Sequence, residues 1–264
     1  MFRYTKAICR KIPKSIITEG LRMEVEATPF DYKKAMQQHS AYVSALKDAG
    51  VQVTELEADE TTPDCVFVED TAVVVGETVL ITRPGAPSRE PESAVIKRYF
   101  EENEIKDLFE MKAPASLDGG DVLFTGHEFF VGLSKRTNQE GVDMLQSTFS
   151  KYPVHGIPLS GHLHLKSFLS MIDDDVMVCG SSQHASDALR QVMEKTKQVY
   201  SVLRVPDDAA GNAVIVNGVL LCRIKEEFPD SYKVFEKLTI RKVGLHGSEL
   251  SKLDGALTCC SILY

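Results

Sequence analysis

Asn212-Ala-Val-Ile-Val-Asn-Gly-Val-Leu-Leu-Cys-Arg223 reads as two short apolar strands joined by a two-residue turn. Asn-Gly is a strong hairpin signal, because both residues tolerate the positive φ that a type I′ turn demands. The same shape recurs at Thr71-Ala-Val-Val-Val-Gly-Glu-Thr-Val-Leu-Ile-Thr-Arg83, at Asp121-Val-Leu-Phe-Thr-Gly-His-Glu-Phe-Phe-Val-Gly132 and at Phe168-Leu-Ser-Met-Ile-Asp-Asp-Asp-Val-Met-Val-Cys179. The starts fall roughly 45 to 50 residues apart, a period that marks a repeat architecture. Helical periodicity fills the gaps, at Pro91 to Phe100, Gly141 to Phe149, Ala185 to Thr196 and Glu226 to Leu238. Thr28-Pro29 followed by Asp31 reads as a helix start, and Gly50 as its stop.

A fifth unit begins at Gly255-Ala-Leu-Thr-Cys-Cys-Ser-Ile-Leu-Tyr264 and supplies one strand before the chain ends. Its partner is sought at the other end, in Lys6-Ala-Ile-Cys-Arg10. Pairing the last strand with the first closes a ring and removes exposed sheet edges. The expectation is therefore one closed α/β domain over residues 1–264, built from five units. The competing arrangement is a set of separate hairpins on an ordinary open α/β sheet.

The 264 residues carry 30 Lys and Arg against 38 Asp and Glu, a formal charge of −8. An acidic chain without a basic stripe argues against nucleic acid or an anionic membrane as partner. Apolar runs such as Ala72-Val-Val-Val75 are strand-length, too short to span a bilayer. The N-terminus is basic, with Arg3, Lys6, Arg10, Lys11 and Lys14 before any acid, as in a transit peptide. It lacks a secretory apolar segment, and Lys6 to Arg10 also reads as a strand, so the expected location is cytoplasmic. Six scattered cysteines without a CxxC pair suit a reducing compartment and no structural zinc site.

Two cysteines, Cys259 and Cys260, sit side by side. Neighbours on a strand point to opposite faces, so one is expected to face a pocket and the other the packing layer. A buried cysteine is usually a small hydrophobe, and a nucleophilic one needs a base or a positive field. Gly161-His-Leu-His-Leu-Lys-Ser167 places His162 and His164 two apart, on one face if the segment is a strand. Ser116-Leu-Asp-Gly-Gly-Asp121 puts Asp118 and Asp121 around two glycines before a strand, where backbone and ligand can approach closely. Asp64, Glu69 and Asp70 flank the apolar run of Pro63 to Thr71; they are either a solvated face or acids that await a cation. Corresponding positions of a ring converge on its axis, so a cysteine, a histidine and carboxylates from different units can meet there. That set suits attack on a cationic, planar, electrophilic carbon such as a guanidinium.

Six segments, in order, then resemble a known family: Pro63-Asp-Cys-Val-Phe-Val-Glu-Asp70, Ile81-Thr-Arg-Pro-Gly-Ala-Pro-Ser-Arg89, Leu117-Asp-Gly-Gly-Asp-Val-Leu-Phe124, Glu128-Phe-Phe-Val-Gly-Leu-Ser-Lys-Arg-Thr-Asn138, Leu163-His-Leu-Lys-Ser-Phe168 and Leu253-Asp-Gly-Ala-Leu-Thr-Cys-Cys-Ser261. The chain resembles dimethylarginine dimethylaminohydrolase, among the guanidino-group-modifying enzymes. The resemblance implies a pseudo-five-fold α/β propeller of ββαβ-type units around a central channel. It implies hydrolysis of asymmetric dimethylarginine or monomethylarginine to citrulline and a methylamine, which would relieve inhibition of nitric-oxide synthase.

Carried over residue by residue, the resemblance makes Cys259 the nucleophile, His164 the general acid and base, and Asp118 the group that orients His164. Asp64, Glu69 and Asp70 match acids that hold the guanidinium. Arg89 and Arg136 match arginines near the substrate's α-carboxylate. Leu21 matches a lid residue, with Gly20 permitting movement, and Leu253 and Asp254 match a loop near the substrate's amino group. His162 stands where the family commonly has a small residue. The resemblance implies no cofactor, zinc only as an inhibitor at Cys259, a small-molecule substrate, and a monomer or homodimer. Arginine deiminase, a longer family with an inserted helical segment, uses the same chemistry on unmethylated arginine. A catalytically idle binder of methylated arginines is the alternative from outside enzymology.

Overall fold

The computed structural model describes residues 3–23, 28–161 and 163–264. Its strands are β1 (Lys6–Arg10), β2 (Gln52–Leu56), β3 (Ala72–Val75), β4 (Thr78–Ile81), β5 (Asp107–Glu110), β6 (Val122–Phe124), β7 (Phe129–Leu133), β8 (Val154–Pro158), β9 (Leu169–Asp173), β10 (Val176–Cys179), β11 (Ser201–Arg204), β12 (Val214–Val216), β13 (Val219–Arg223), β14 (Arg241–Leu245) and β15 (Ile262–Leu263). The helices are α1 (Ile16–Glu19), α2 (Tyr32–Asp48), α3 (Glu92–Glu102), α4 (Gln139–Thr148), α5 (Gln183–Lys195), α6 (Pro229–Glu236) and α7 (Ser248–Ser251).

The strands form five three-stranded sheets: β3-β4-β5, β6-β7-β8, β9-β10-β11, β12-β13-β14 and β15-β1-β2. In each, a first strand pairs antiparallel with a second, and a helix then returns the chain to a third strand parallel to the second. A parallel pair needs such a crossover, whereas an antiparallel pair needs only a turn. At the Asn217-Gly218 turn both residues have positive φ, 50° and 80°, as the hairpin reading requires. Helix starts follow the sequence signals: Asp31 accepts from Lys34 N, and Asn138 and Ser182 cap α4 and α5 in the same way.

The fifth sheet is assembled from both ends of the chain. β15 pairs antiparallel with β1, Ala7 opposite Leu263 and Ile8 opposite Ile262, while β2 pairs parallel on the other side of β1. The apolar core follows the ring. Among the described residues it divides into five clusters, each at the joint of two neighbouring sheets. Ile8 and Ile262 meet Val79 and Ile81 across one joint; Leu123 and Phe130 meet Leu169 and Met177 across another. The first strands β3, β6, β9, β12 and β15 line a central cavity on the axis. No helix among the described residues is long and apolar enough to cross a membrane.

Each first strand is entered through a 3-10 turn. These turns span Val68–Thr71, Gly119–Asp121, Leu165–Ser167, Asp208–Gly211 and Thr258–Cys260. The sequence reading had strands at two of these places, and both differ. Cys259 and Cys260 lie in the last turn, not on a regular strand. His164 is the extended residue that opens the third turn, at φ −135° and ψ 156°. A 3-10 helix turns its side chains by one third of a revolution per residue, so adjacent cysteines still diverge, for a different reason from strand alternation.

Candidate active site

Because the five turns occupy equivalent places, side chains from different units can meet at one mouth of the ring. A pocket there is lined by Cys259, His164, Asp64, Asp70, Arg89 and Arg136, with Leu21, Leu253 and Asp254 at its sides. Cys260 lines a different, small cavity against Gln38, His39 and Tyr42. The two thiols therefore face different spaces. His162 lies outside the described residues.

Asp118 does not line this pocket but lies directly beneath it, fully buried. Its Oδ2 is 2.9 Å from His164 Nε2, and its Oδ1 accepts from Gly85 N at 2.8 Å. With both oxygens engaged, the carboxylate fixes the plane of the imidazole and leaves Nδ1 as the nitrogen not held by Asp118. The second acid of that motif, Asp121, faces the scaffold. It accepts from Ser134 Oγ, Thr137 Oγ1 and Leu165 N, and Thr137 Oγ1 in turn accepts from Asp118 N. Asp121 and Thr137 thus join the Asp118 and His164 turns.

The glycines between those acids serve close approach, though of protein to protein. A side chain at Gly119 would collide with the Glu69 carbonyl oxygen, and a Cβ at Gly120 would lie 2.6 Å from His164 Nδ1. Gly120 N also donates to Asp70 Oδ1 at 2.8 Å.

The site is a buried assembly of opposed charges. Burial alone would lower the His164 pKa; Asp70's charge and then the Asp118 hydrogen bond outweigh it and raise the value to about 9. Burial pushes the Cys259 thiol well above its ordinary range, and Glu69 and Asp70 push it further. Burial also raises Asp64. Asp70 moves the other way: burial would raise it, but His164 and Arg89 hold it down at about 2. The surroundings therefore disfavour ionisation of the Cys259 thiol and favour the charged forms of His164 and Asp70.

The two arginines differ. Arg89 is committed to protein: it bonds Asp70 Oδ2 at 2.6 Å, the Phe67 carbonyl at 3.0 Å and both oxygens of Glu92. Arg136 carries a buried Nη1 without a hydrogen-bond partner among the described residues, in the wall of the pocket. A buried guanidinium nitrogen in that state awaits an acceptor.

Glu69, expected among the substrate acids, is not among the residues lining this pocket; it lines the central cavity behind Cys259. It accepts from Lys166 Nζ at 2.5 Å and from Thr258 Oγ1 at 2.8 Å. The segment after α1 closes one side of the pocket through two backbone bonds, Leu21 N to Asp64 Oδ1 at 3.0 Å and Met23 N to Asp254 Oδ2 at 2.5 Å. Asp254 adopts a positive φ of 58° while making that contact. Gly20 is held extended, where a Cβ would press on the Ile16 carbonyl.

Asp70, Asp118 and His164 each present a possible ligand atom within 4.8 Å of the others. Asp118 and His164 bond each other, and Asp70 bonds Arg89 and Gly120, so the cluster reads as an ion-paired network. The sequence reading missed Glu92, Asn212 and Thr258. Glu92 was accessible as the acid three residues after Arg89; Asn212 and Thr258 carry no local signal, because their partners come from other units.

A ring of five ββαβ units with a cysteine, a carboxylate-oriented histidine and acids at one mouth defines the class of guanidino-group-modifying propellers. Residues 24–229 match the family described as "N,N dimethylarginine dimethylhydrolase, eukaryotic". A human protein named "Putative hydrolase DDAH2" is 35% identical over 272 residues, covering 99% of this chain and 95% of that one. The N(G),N(G)-dimethylarginine dimethylaminohydrolase of Streptomyces coelicolor is 33% identical over 261 residues, covering 97% and 96%. The Pseudomonas aeruginosa DDAH, solved as a Cys-to-Ser variant complexed with citrulline, superposes with a TM-score of 0.89 at 27% identity, over 100% of both chains. The chain belongs to the dimethylarginine dimethylaminohydrolase family.

Proposed function

We propose that this chain hydrolyses N-omega-methylated arginines, asymmetric dimethylarginine or monomethylarginine, to citrulline and dimethylamine or methylamine. The observation that carries the reading is the convergence of Cys259 with the Asp118–His164 pair in a pocket also lined by Asp64, Asp70 and Arg136, whose buried Nη1 has no hydrogen-bond partner among the described residues. Asp70 and Asp64 hold the guanidinium, and Arg136 takes the α-carboxylate. Arg89 holds Asp70 in place, and Glu69 acts from behind the nucleophile without touching substrate. Leu21, Leu253 and Asp254 close over the amino-acid end.

The resting charges suggest the order of steps. A bound guanidinium brings a positive charge to a thiol whose pKa burial, Glu69 and Asp70 hold up, so that pKa falls and the proton leaves for solvent as substrate seats. His164, already protonated, keeps its own proton. The Cys259 thiolate attacks the guanidinium carbon and a C–S bond forms. The C–N bond to dimethylamine breaks as His164 protonates the departing nitrogen, leaving an S-alkylthiouronium. His164, now neutral, takes a proton from water; the hydroxide adds to the same carbon, and the thiolate leaves as citrulline is released. Zinc, on this reading, would block Cys259 and take no part in turnover.

We read residues 1–264 as one domain, since β1 and β15 complete a single sheet. Six free, buried cysteines support a reducing compartment such as the cytosol. The test is citrulline release from asymmetric dimethylarginine, with L-arginine in parallel, by wild type and Cys259→Ser. Turnover of the methylated substrate, lost in the variant, supports the reading. Preference for L-arginine would make the protein a deiminase, and inertness toward both would make it a binder.

A further inference from the structure

We propose that Asn212 is a positioning residue that holds the nucleophile turn and the acid–base turn in register; the inference rests on the hydrolase reading above. Asn212 follows the fourth 3-10 turn, Asp208–Gly211, which contributes no side chain to the pocket. It is 1% exposed, and its amide is fully engaged. Oδ1 accepts from Thr258 N at 3.2 Å, and Nδ2 donates to Thr258 Oγ1 at 3.0 Å and to the Lys166 carbonyl at 2.7 Å.

Those partners are adjacent to the chemistry. Thr258 directly precedes Cys259, and Lys166 lies in the turn that His164 opens. Glu69 ties the same two residues from the other side, through Thr258 Oγ1 and Lys166 Nζ. Asn212 is itself anchored, because Ser170 Oγ donates to Gly211 O and accepts from Ala213 N, the residues on either side. One amide therefore sets the spacing between the turn that delivers sulfur and the turn that delivers the proton. Neither Asp, which lacks the two donors, nor Leu, which lacks every polar atom, can replace it. Misplacement of reacting groups by about 1 Å costs on the order of 100-fold in rate.

The test is Asn212→Leu, assayed for kcat and KM on asymmetric dimethylarginine and on S-methyl-L-thiocitrulline. Dimethylamine cannot leave without a proton from His164, whereas methanethiolate leaves as the anion. Loss of register predicts a fall in kcat on the order of 100-fold for dimethylarginine. It predicts a loss at least several-fold smaller for the thiocitrulline, with KM for both little changed. Equal losses on both substrates, a loss confined to KM, or no loss overturns the proposal. If Asn212→Leu does not fold, Thr258→Val removes one end of the bridge while keeping the backbone bond, and the same substrate-dependent loss is expected; its absence overturns the proposal equally. Wild type inert toward both substrates overturns the hydrolase reading and this inference together, whereas active wild type with an unaltered variant overturns this inference alone.

Discussion

His164 Nε2 meets Asp118 Oδ2 at 2.9 Å across 46 residues of sequence, and the two residues hold the same place in successive units. Each is the extended residue immediately before a 3-10 turn and a first strand. The repeat itself thus brings Asp118 and His164 together, with Gly120 leaving room for the other face of the imidazole against Asp70.

That contact carries a pH dependence. His164 is held at about 9, above its ordinary 6.5, so its charged interactions stabilise the fold fully below about pH 6.5 and are lost as pH rises through about 9. Denaturant unfolding at pH 6 and pH 9.5 should show wild type losing stability on the order of 1–3 kcal/mol over that window. His164→Gln should show a flatter profile. Equal profiles would remove the ion pair from the account. The free enzyme's kcat/KM should fall above about pH 9 as the general acid is lost.

The two cysteines should separate cleanly. Cys259→Ser is expected to lose at least 1,000-fold in turnover, whereas Cys260→Ser should keep kcat within about threefold and lose on the order of 1–2 kcal/mol of stability, because a hydroxyl replaces a buried thiol. Steady-state rates and thermal unfolding of the two variants decide the matter, and similar losses of turnover in both would deny the division.

Arg89 and Arg136 should fail in different ways. Arg89→Met strips the counter-charge from Asp70 and Glu92, both buried, and is expected to destabilise the fold by about 3–5 kcal/mol. Arg136→Met should leave unfolding nearly unchanged and raise KM by roughly 10- to 100-fold, as expected on losing a charge-assisted bond to carboxylate. A raised KM in a stable Arg89→Met protein would restore Arg89 as a substrate contact.

Gly120→Ala tests the clearance around the imidazole. The added methyl would lie 2.6 Å from His164 Nδ1 and 3.0 Å from Asp70 Oδ1, so the ring must shift. Turnover should fall at least 10-fold, with KM changed far less. Full activity in the alanine variant would show that the ring can move without consequence.

Much of the ring is legible in the sequence. Alternating apolar runs, the Asn217-Gly218 turn, the helix caps and the spacing of the hairpins are local signals, and the structure keeps them with shifts of a few residues at helix ends. The pairing of Lys6 to Arg10 with the last strand also followed, since an unpaired edge would otherwise remain. The turns did not follow. A three-residue 3-10 helix has no periodicity to detect, so the Cys259–Cys260 segment and the approach to His164 both read as strand.

The sequence by itself determined the five-unit ring and the candidate residues of the site, because backbone propensity, turn chemistry and apolar alternation act within a few residues of one another. Only the tertiary structure decided what those residues touch. It put Asp121 behind the site as a brace, placed Glu69 behind Cys259, engaged Arg89 with Asp70 and Glu92 while leaving an Arg136 nitrogen unpartnered among the described residues, and brought Asn212 against Thr258 and Lys166. Which of two nearby acids or arginines faces a ligand depends on burial and on partners from other units, and those distances exist only once the ring has closed.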